Sequence, residues 1–347
     1  MNVIKRIART HSVGFTLLAL FLLFSLFASV SLGSVTIPFK DTLKVLFSKA
    51  HGVPESSRTI ISKIRVPRAL LGMLVGASLS LSGLVFQALL RNPLADPYTL
   101  GISAGASFGA GLAVFLYHLV GAYFQTLLPL FAFAGGVATV FLVYFLARMK
   151  GRVQILTIIL GGVVVSYLFS AGLVLFMSLL GDRAHEIIYW LMGNLSGYHP
   201  FLPWNAAVMI ALMLFSAYFT RDLDLLTLGD EQAKSLGVNI ELVRLLLFFS
   251  TSLLTSLSVS MTGTIGFVGL IVPHSMRLLF GPQHRTLVPA SVVAGAAFLP
   301  LSDTLARTLP DLLFRSGMEI PVGVVTSLIG SPFFIILLIR GKNRSWF

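Results

Sequence analysis

The sequence has 347 residues, 56% of them apolar and only 11% charged, with a formal net charge of +12 and no cysteine. A water-soluble fold of this length carries about 25% charged residues, so the chain reads as a protein whose solvent is lipid. Its basic residues lie scattered between apolar runs, which argues against a nucleic-acid-binding face, and the lack of cysteine excludes disulfides, thiolate metal sites and cysteine nucleophiles. In chain order, the basic start "MNVIKRIART" leads into an apolar run from Val13 to Leu32. At about 1.5 Å per residue this run crosses the roughly 30 Å hydrocarbon core. It exceeds the apolar core of about 7–15 residues found in a cleaved signal peptide, which predicts an uncleaved first helix. Further spans are predicted near 66–90, 97–118, 126–147, 153–180, 200–220, 240–262, 266–281, 287–307 and 321–340. The expectation is an all-α polytopic membrane protein, a single domain over 1–347 with about ten transmembrane helices and both termini on one side.

With the termini in the cytoplasm, the inside segments hold Lys5, Arg6, Arg9, Arg91, Arg148, Lys150, Arg152, Arg221, Lys234, Arg244, Arg277, Arg285, Arg340, Lys342 and Arg344, which are 15 of the 25 Lys and Arg residues. This orientation agrees with the positive-inside rule. The outer segment from Gly33 to Arg68 is the exception. It carries Lys40, Lys44, Lys49, Arg58, Lys63, Arg65 and Arg68 against Asp41 and Glu55, a basic patch that suits an acidic partner.

Small residues recur four apart at Gly72, Gly76 and Ser80, and again at Gly101, Gly105 and Gly109. Lipid supplies little hydrophobic drive between helices, so such faces predict close backbone contact. In "RNPLADP" (91–97), two prolines and Asn92 describe a stiff turn, with Asp96 placed to cap the next helix. Within the spans, charge is confined to helix ends. Asp303 and Arg307 in "LSDTLART" are four apart and suited to pair on one helix face. A mid-membrane charge costs at least about 2.5–3.5 kcal/mol, and this near-absence disfavours an ion-coupled carrier working alone, the rival class. There is no phosphate-binding loop, no Gly-x-Ser-x-Gly, and no metal-ligand spacing among the seven histidines. A pump built on this chain draws its energy from another polypeptide.

"LLTLGDEQAKSLGVNIELVR" (225–244) interrupts the apolar pattern with five charges. It reads as two short polar helices, with Gly229 and Gly237 as C-terminal caps. Asp230 is placed to cap the second helix, Glu231 to sit at its positive end, and Lys234 to follow Asp230 by four. The result is a rigid knob on the cytoplasmic side, suited to a socket on another protein.

"EQAKSLG" (231–237) resembles the Glu-Ala-Ala-x3-Gly coupling motif of binding-protein-dependent ABC importer permeases, with Gln232 in place of the middle Ala. "IRVPRALLGMLVGASLSLSGLVFQALLRNPLADPYTLGISAGA" (64–106), "GTIGFVGLIVPHSMRLLFGPQHR" (263–285) and "LSDTLAR…EIPVGVVTSLIGSPFF" (301–334) resemble the FecCD-type permeases of iron–siderophore, haem and cobalamin importers, over nearly the whole chain. The resemblance implies a type II ABC importer permease fold, a homodimer with its pathway along the dimer axis, two ATPase subunits and a soluble binding protein. It places the coupling helices at 222–238, with Leu228, Gly229, Asp230, Glu231, Ala233, Leu236 and Gly237 pressed into the ATPase. Arg65, Arg68 and Arg307 are implied to face carboxylates of the binding protein. Arg91, Asn92, Pro93, Asp96, Pro97, Gly101, Pro273, His274, Arg277, Asp303, Pro321 and Gly323 are implied to be structural, and a structural role is also the better reading of His274 taken alone. No cofactor and no metal is expected on this chain, ATP and magnesium belonging to the ATPase, and no nucleic acid is a partner. The expected location is the bacterial or archaeal inner membrane, multi-pass, with membrane lipid around it. The first-choice cargo is an iron–siderophore chelate, with cobalamin, haem and molybdate-type oxyanions open.

Overall fold

The computed structural model describes residues 2–47, 52–121, 126–149, 152–153, 155–196, 202–314 and 318–341. Lys49, Lys150, Lys342 and Arg344 lie outside them. Helix α1 (Asn2–Ser31) is followed by two short helices, α2 (Phe39–Leu46) and α3 (Glu55–Thr59), and a π-helical turn, Ile60–Arg65, carries the chain into α4 (Val66–Leu89). Pro67 follows that π-helical turn in a helix that runs on from Glu55 to Leu89, a local widening of the kind that admits a proline inside a helix. A 3-10 turn, Pro97–Leu100, precedes α5 (Ile102–Val120), then come α6 (Leu128–Ala147) and α7 (Ile155–Leu180). Between α6 and α7 lies one short antiparallel pair, Arg148–Met149 with Arg152–Val153. The chain continues through α8 (His185–Leu191), α9 (Leu202–Tyr218), α10 (Thr220–Leu228), α11 (Asp230–Ser235), α12 (Ile240–Thr262), α13 (Val268–Phe280), α14 (His284–Phe314) and α15 (Val322–Gly341).

Helices stand at all ten positions where spans were expected, but not all have spanning length. Among the described residues seven helical stretches are long and apolar enough to cross a membrane, or eight if α9 and α10, bent by 50° at residue 219, are taken as one span. Helix α13 has 13 residues, about 20 Å of rise, and the apolar part of α15, Val322–Leu337, is also short. Helix α13 is buried over most of its length against α4 and α14.

Two packed groups share the molecule. Helix α4 is buried on most of its surface against α14, α13 and α12, with α1 lying along α14. Helices α5, α6 and α7 pack on one another, and α12 joins the groups by touching both α4 and α6. The expected small-residue faces are the contacts. A Cβ on Gly76 would overlap the Gly295 carbonyl of α14, and one on Gly105 would overlap Thr139 of α6. Ser80 Oγ donates to the Ser291 carbonyl (2.8 Å) one turn from the Gly76 contact. In lipid these close approaches gain dispersion that larger side chains would forfeit.

Candidate functional site

The polar segment 220–238 lies at the end of the bundle where α4 and α12 meet, and it is anchored on one side only. Leu223, Leu226 and Ala233 are buried against the bundle, whereas Leu228 and Leu236 are more than half exposed, with Glu231 and Lys234 also exposed. Gly229 (φ 128°) ends α10. Gly237 (φ 86°) closes α11, its N–H donating to the Lys234 carbonyl (3.0 Å) and that of Val238 to Ala233 (3.1 Å). The two glycine caps read from the sequence are present, since both φ values lie where glycine carries no Cβ penalty.

Asp230 does not have the role expected of it. The N-cap of α11 is Gly229, with no side-chain cap hydrogen bond, and Asp230 reaches sideways. It accepts from Arg244 Nη1 and Nη2 (2.9 and 2.7 Å) and from Arg91 Nη2, while Arg91 Nε donates to the Leu226 carbonyl (2.8 Å). The guanidinium fork outcompetes the lysine one turn away because it makes two parallel bonds. Partial burial works to raise the Asp230 pKa, but Arg244 and Arg91 outweigh it and hold the carboxyl below the usual carboxylate range. A second tie comes from Asp224, whose Oδ1 accepts the backbone N–H of His284 (2.9 Å) and approaches His284 Nδ1 (2.6 Å). The segment is therefore tied to the end of α4, the start of α12 and the start of α14.

At the opposite end, the arginines expected on an outward docking face turn inward. Arg65, Arg68 and Arg307 are 3%, 8% and 3% exposed. Asp303, itself buried, accepts from Arg68 through Nε (3.0 and 3.2 Å) and Nη2 (2.8 Å) and from Arg307 Nε (3.0 Å). Arg68 Nη1 also donates to Glu319 (2.9 Å). Arg65 donates to the carbonyls of Val30 (3.2 Å), Ser31 (2.7 Å) and Val35, and Arg307 to those of Ser29 and Leu32 (both 3.1 Å). The physical reason is the end of α1. Its last carbonyls have no intrahelical partner, and the two guanidinium groups satisfy them. The expected Asp303–Arg307 pair is formed, inside this larger cluster. Lys40, Lys44, Arg58 and Lys63 remain exposed at this end.

The remaining predicted structural residues frame the space between these ends. Asn92 Oδ1 accepts the Leu94 N–H (2.9 Å), and Asp96 Oδ1 accepts that of Tyr98 (3.1 Å), capping the Pro97–Leu100 turn that Gly101 (φ 83°) ends. Burial lifts the Asp96 carboxyl to a pKa of about 6, against the opposing hydrogen bond from Tyr98. Tyr98 Oη donates to the Ile265 carbonyl (2.9 Å) and accepts the Ile265 N–H (3.1 Å). Pro273 lies inside α13, His274 packs edge-on to Phe333, and Arg277 donates to Gln87 (3.1 Å). Pro321 precedes α15, and Gly323 meets the Met192 carbonyl so closely that a Cβ would overlap it.

Sequence reasoning named no lining for a pathway. The structure has an open cavity of about 840 Å³ between α5, α7, the 191–192 and 264–266 segments and α15. Among the described residues its polar groups are Tyr98, Ser103, Ser107, Ser170, Thr264, Ser327 and Ser331, and no charged side chain lines it. Two serine pairs four residues apart, 103 with 107 and 327 with 331, were visible in the sequence as a hydroxyl stripe on otherwise apolar helices.

Residues 21–340 match the model of the FecCD transport family. The ABC transporter permease protein YvrB of Bacillus subtilis is 39% identical over 344 residues, covering 95% of this chain and 93% of the relative. The cobalamin import system permease protein BtuC of Halobacterium salinarum is 41% identical over 289 residues, covering 83% and 75%. Other relatives are named as permeases for Fe(3+)-citrate, iron(3+)-hydroxamate and molybdate import. A solved ABC transporter assigned to the metal-chelate type, in an inward-facing conformation, superposes with a TM-score of 0.79 at 30% identity, covering 95% of this chain and 99% of that one.

Proposed function

Because the chain belongs to the FecCD transport family and is a permease subunit of an ABC importer, we propose that two copies of it form the pathway for an iron–siderophore-type chelate. The observation that carries this reading is the uncharged, hydroxyl-studded cavity of about 840 Å³. Its volume is that of a site for a drug-sized ligand. A bare oxyanion would call for the charge-assisted donors that grip anions, and no cation lines this space. Cobalamin is the second reading, favoured by the 41% identity to a relative named for cobalamin import.

In this reading the 220–238 end is cytoplasmic, both termini are cytoplasmic, and a separate ATPase subunit supplies the energy. Residues 222–238 receive it. The exposed Leu228 and Leu236, with Gly229, Glu231 and Gly237, form the contact surface, while Asp230 and Ala233 face the chain's own helices. The extracytoplasmic binding protein docks on the opposite end, first through Lys40, Lys44, Arg58 and Lys63. Arg68 then serves by exchanging its partly exposed partner Glu319 for a carboxylate of the binding protein, and Arg65 and Arg307 hold that surface in shape. The test is nucleotide-driven uptake by proteoliposomes holding this chain, its ATPase and its binding protein, assayed with ferric siderophores, haem, cobalamin and molybdate. Selective uptake of molybdate would overturn the cargo, and uphill uptake by the chain alone under an ion gradient would overturn the class.

A further inference from the structure

A second cavity, of about 730 Å³, lies beside the polar segment, between the ends of α4 and α6, the start of α7, and α11 with α12. Its inner walls are apolar. Phe86, Leu89, Ile158 and Phe248 are all buried, yet line open space. Its mouth is polar, with Arg148 and Lys234 exposed, Arg244 half-buried, and Asp230 and Glu241 as the only carboxylates among the described residues.

The charges at the mouth do not balance. Asp230 is already shared by Arg244 and Arg91, so four cations (Arg91, Arg148, Lys234, Arg244) meet two carboxylates (Asp230, Glu241). In addition, Arg244 Nε is buried and has no acceptor among the described residues, although an unsatisfied buried donor costs about 1–3 kcal/mol. The cavity thus offers hydrocarbon walls and a cationic mouth with a free donor, at the level where four spanning helices begin or end. Bare phosphate would leave the apolar part empty, and hydrocarbon alone would leave the cations unneutralised.

We propose that this cavity binds a phosphate-bearing anionic lipid, one acyl chain along Phe86, Ile158 and Phe248 and the phosphate oxygens on Arg148, Lys234 and Arg244 Nε. Basic pockets between spanning helices take anionic headgroups in this way. The proposal rests on the functional reading above only for the leaflet, the cytoplasmic one. The bound lipid touches α11 and α12 and so stiffens the joint through which the polar segment is anchored.

The test uses the full chain, delipidated in detergent and examined by native mass spectrometry with phosphatidylglycerol, phosphatidylcholine and inorganic phosphate as probes. Phosphatidylglycerol is expected to be retained at least tenfold better than phosphatidylcholine and not to be displaced by millimolar inorganic phosphate. Arg148→Gln and Lys234→Gln, at exposed positions, should each lower its retention about fivefold. Equal retention of the two lipids overturns the proposal, as does displacement by inorganic phosphate, which would mark a site for the free anion. Should either variant misfold, the wild-type lipid and phosphate arms still decide. No uptake is measured, so the outcome is independent of the cargo.

Discussion

Replacing Asp303 by Asn isolates the buried ion cluster, because it removes one charge while keeping the size of the side chain. Asp303 is 1% exposed and receives bonds from both Arg68 and Arg307. After the change Arg68 keeps only the partly exposed Glu319 as counter-charge, and Arg307 keeps the Ser29 and Leu32 carbonyls but loses its carboxylate. Breaking a buried pair from one side costs about 3–5 kcal/mol. The comparison is Glu319→Gln, which removes a carboxylate from the same Arg68 at a side chain that is 33% exposed. A solvent-screened pair contributes about 0–1 kcal/mol, so the two variants should differ by at least about 2 kcal/mol. The assay is the fraction of monodisperse protein surviving a temperature series in detergent, for wild type and both variants. If Asp303→Asn survives as well as Glu319→Gln, the cluster does not hold α1, α4 and α14 together and the reasoning fails.

The segment 220–238 gives a functional counterpart. A Cβ on Gly237 meets nothing within 4 Å, so Gly237→Trp should cost only the left-handed backbone term of about 1–2 kcal/mol. The chain should assemble with its ATPase but lose uptake at least tenfold while hydrolysis continues; wild-type uptake would remove the segment from the mechanism. Asp96 binds its proton more tightly folded than unfolded, so its contribution to stability should fall as pH rises from about 4 to about 6 and then level off, read as the difference between wild type and Asp96→Asn. Asp96→Asn keeps the acceptor for Tyr98 and should flatten that slope, which melting curves across the window will check. Ser327→Trp and Ser331→Trp should block uptake by filling the cavity, whereas the Ala variants should stay near wild type. Reversing the exposed Lys40 and Lys63 to Glu should weaken binding-protein affinity at low salt with no change in melting, and unchanged affinity would move docking elsewhere.

Features set by neighbours in sequence were legible, and those set by partners far along the chain were not. Apolar length located the helices, glycine located both caps of the polar segment, and Asn92 and Asp96 fold back on backbone two residues on. The inward turn of Arg65 and Arg307 was invisible, because their acceptors lie 34 and 278 positions away at the end of α1. A charge reversal at Arg65 and Arg68, a sound docking test for exposed residues, would here take from the end of α1 one of its two arginines and from Asp303 one of its two partners. Asp230 shows the same limit. Lys234 one turn on was the obvious mate, but Arg91, 139 positions earlier, and Arg244 on the next helix hold it instead. The serine pairs were present in the sequence, but nothing in the sequence distinguishes a hydroxyl facing a cavity from one bonding back to its own helix.

The two charged clusters share a mechanical consequence. Asp230 and Asp224 fasten the polar segment to α4, α12 and α14, and Asp303 fastens α4 to α14 at the far end, with α1 drawn in through Arg307. Helices α4 and α14 are therefore pinned to each other at both ends and locked between by the Gly76–Gly295 contact. A displacement of 220–238 cannot be absorbed by sliding α4 along α14 without breaking a buried ion cluster. Among the described residues, helices α5 and α7, which line the uncharged cavity, carry no buried ion cluster of this kind; α5 meets α8 through the partly exposed His118 and Glu186 (3.2 Å). They rest on α6 through small-residue contacts, and Tyr98 bonds their side of the cavity to the Ile265 backbone. On the proposed function, a push on the polar segment would be delivered where resistance is least, at the cavity wall.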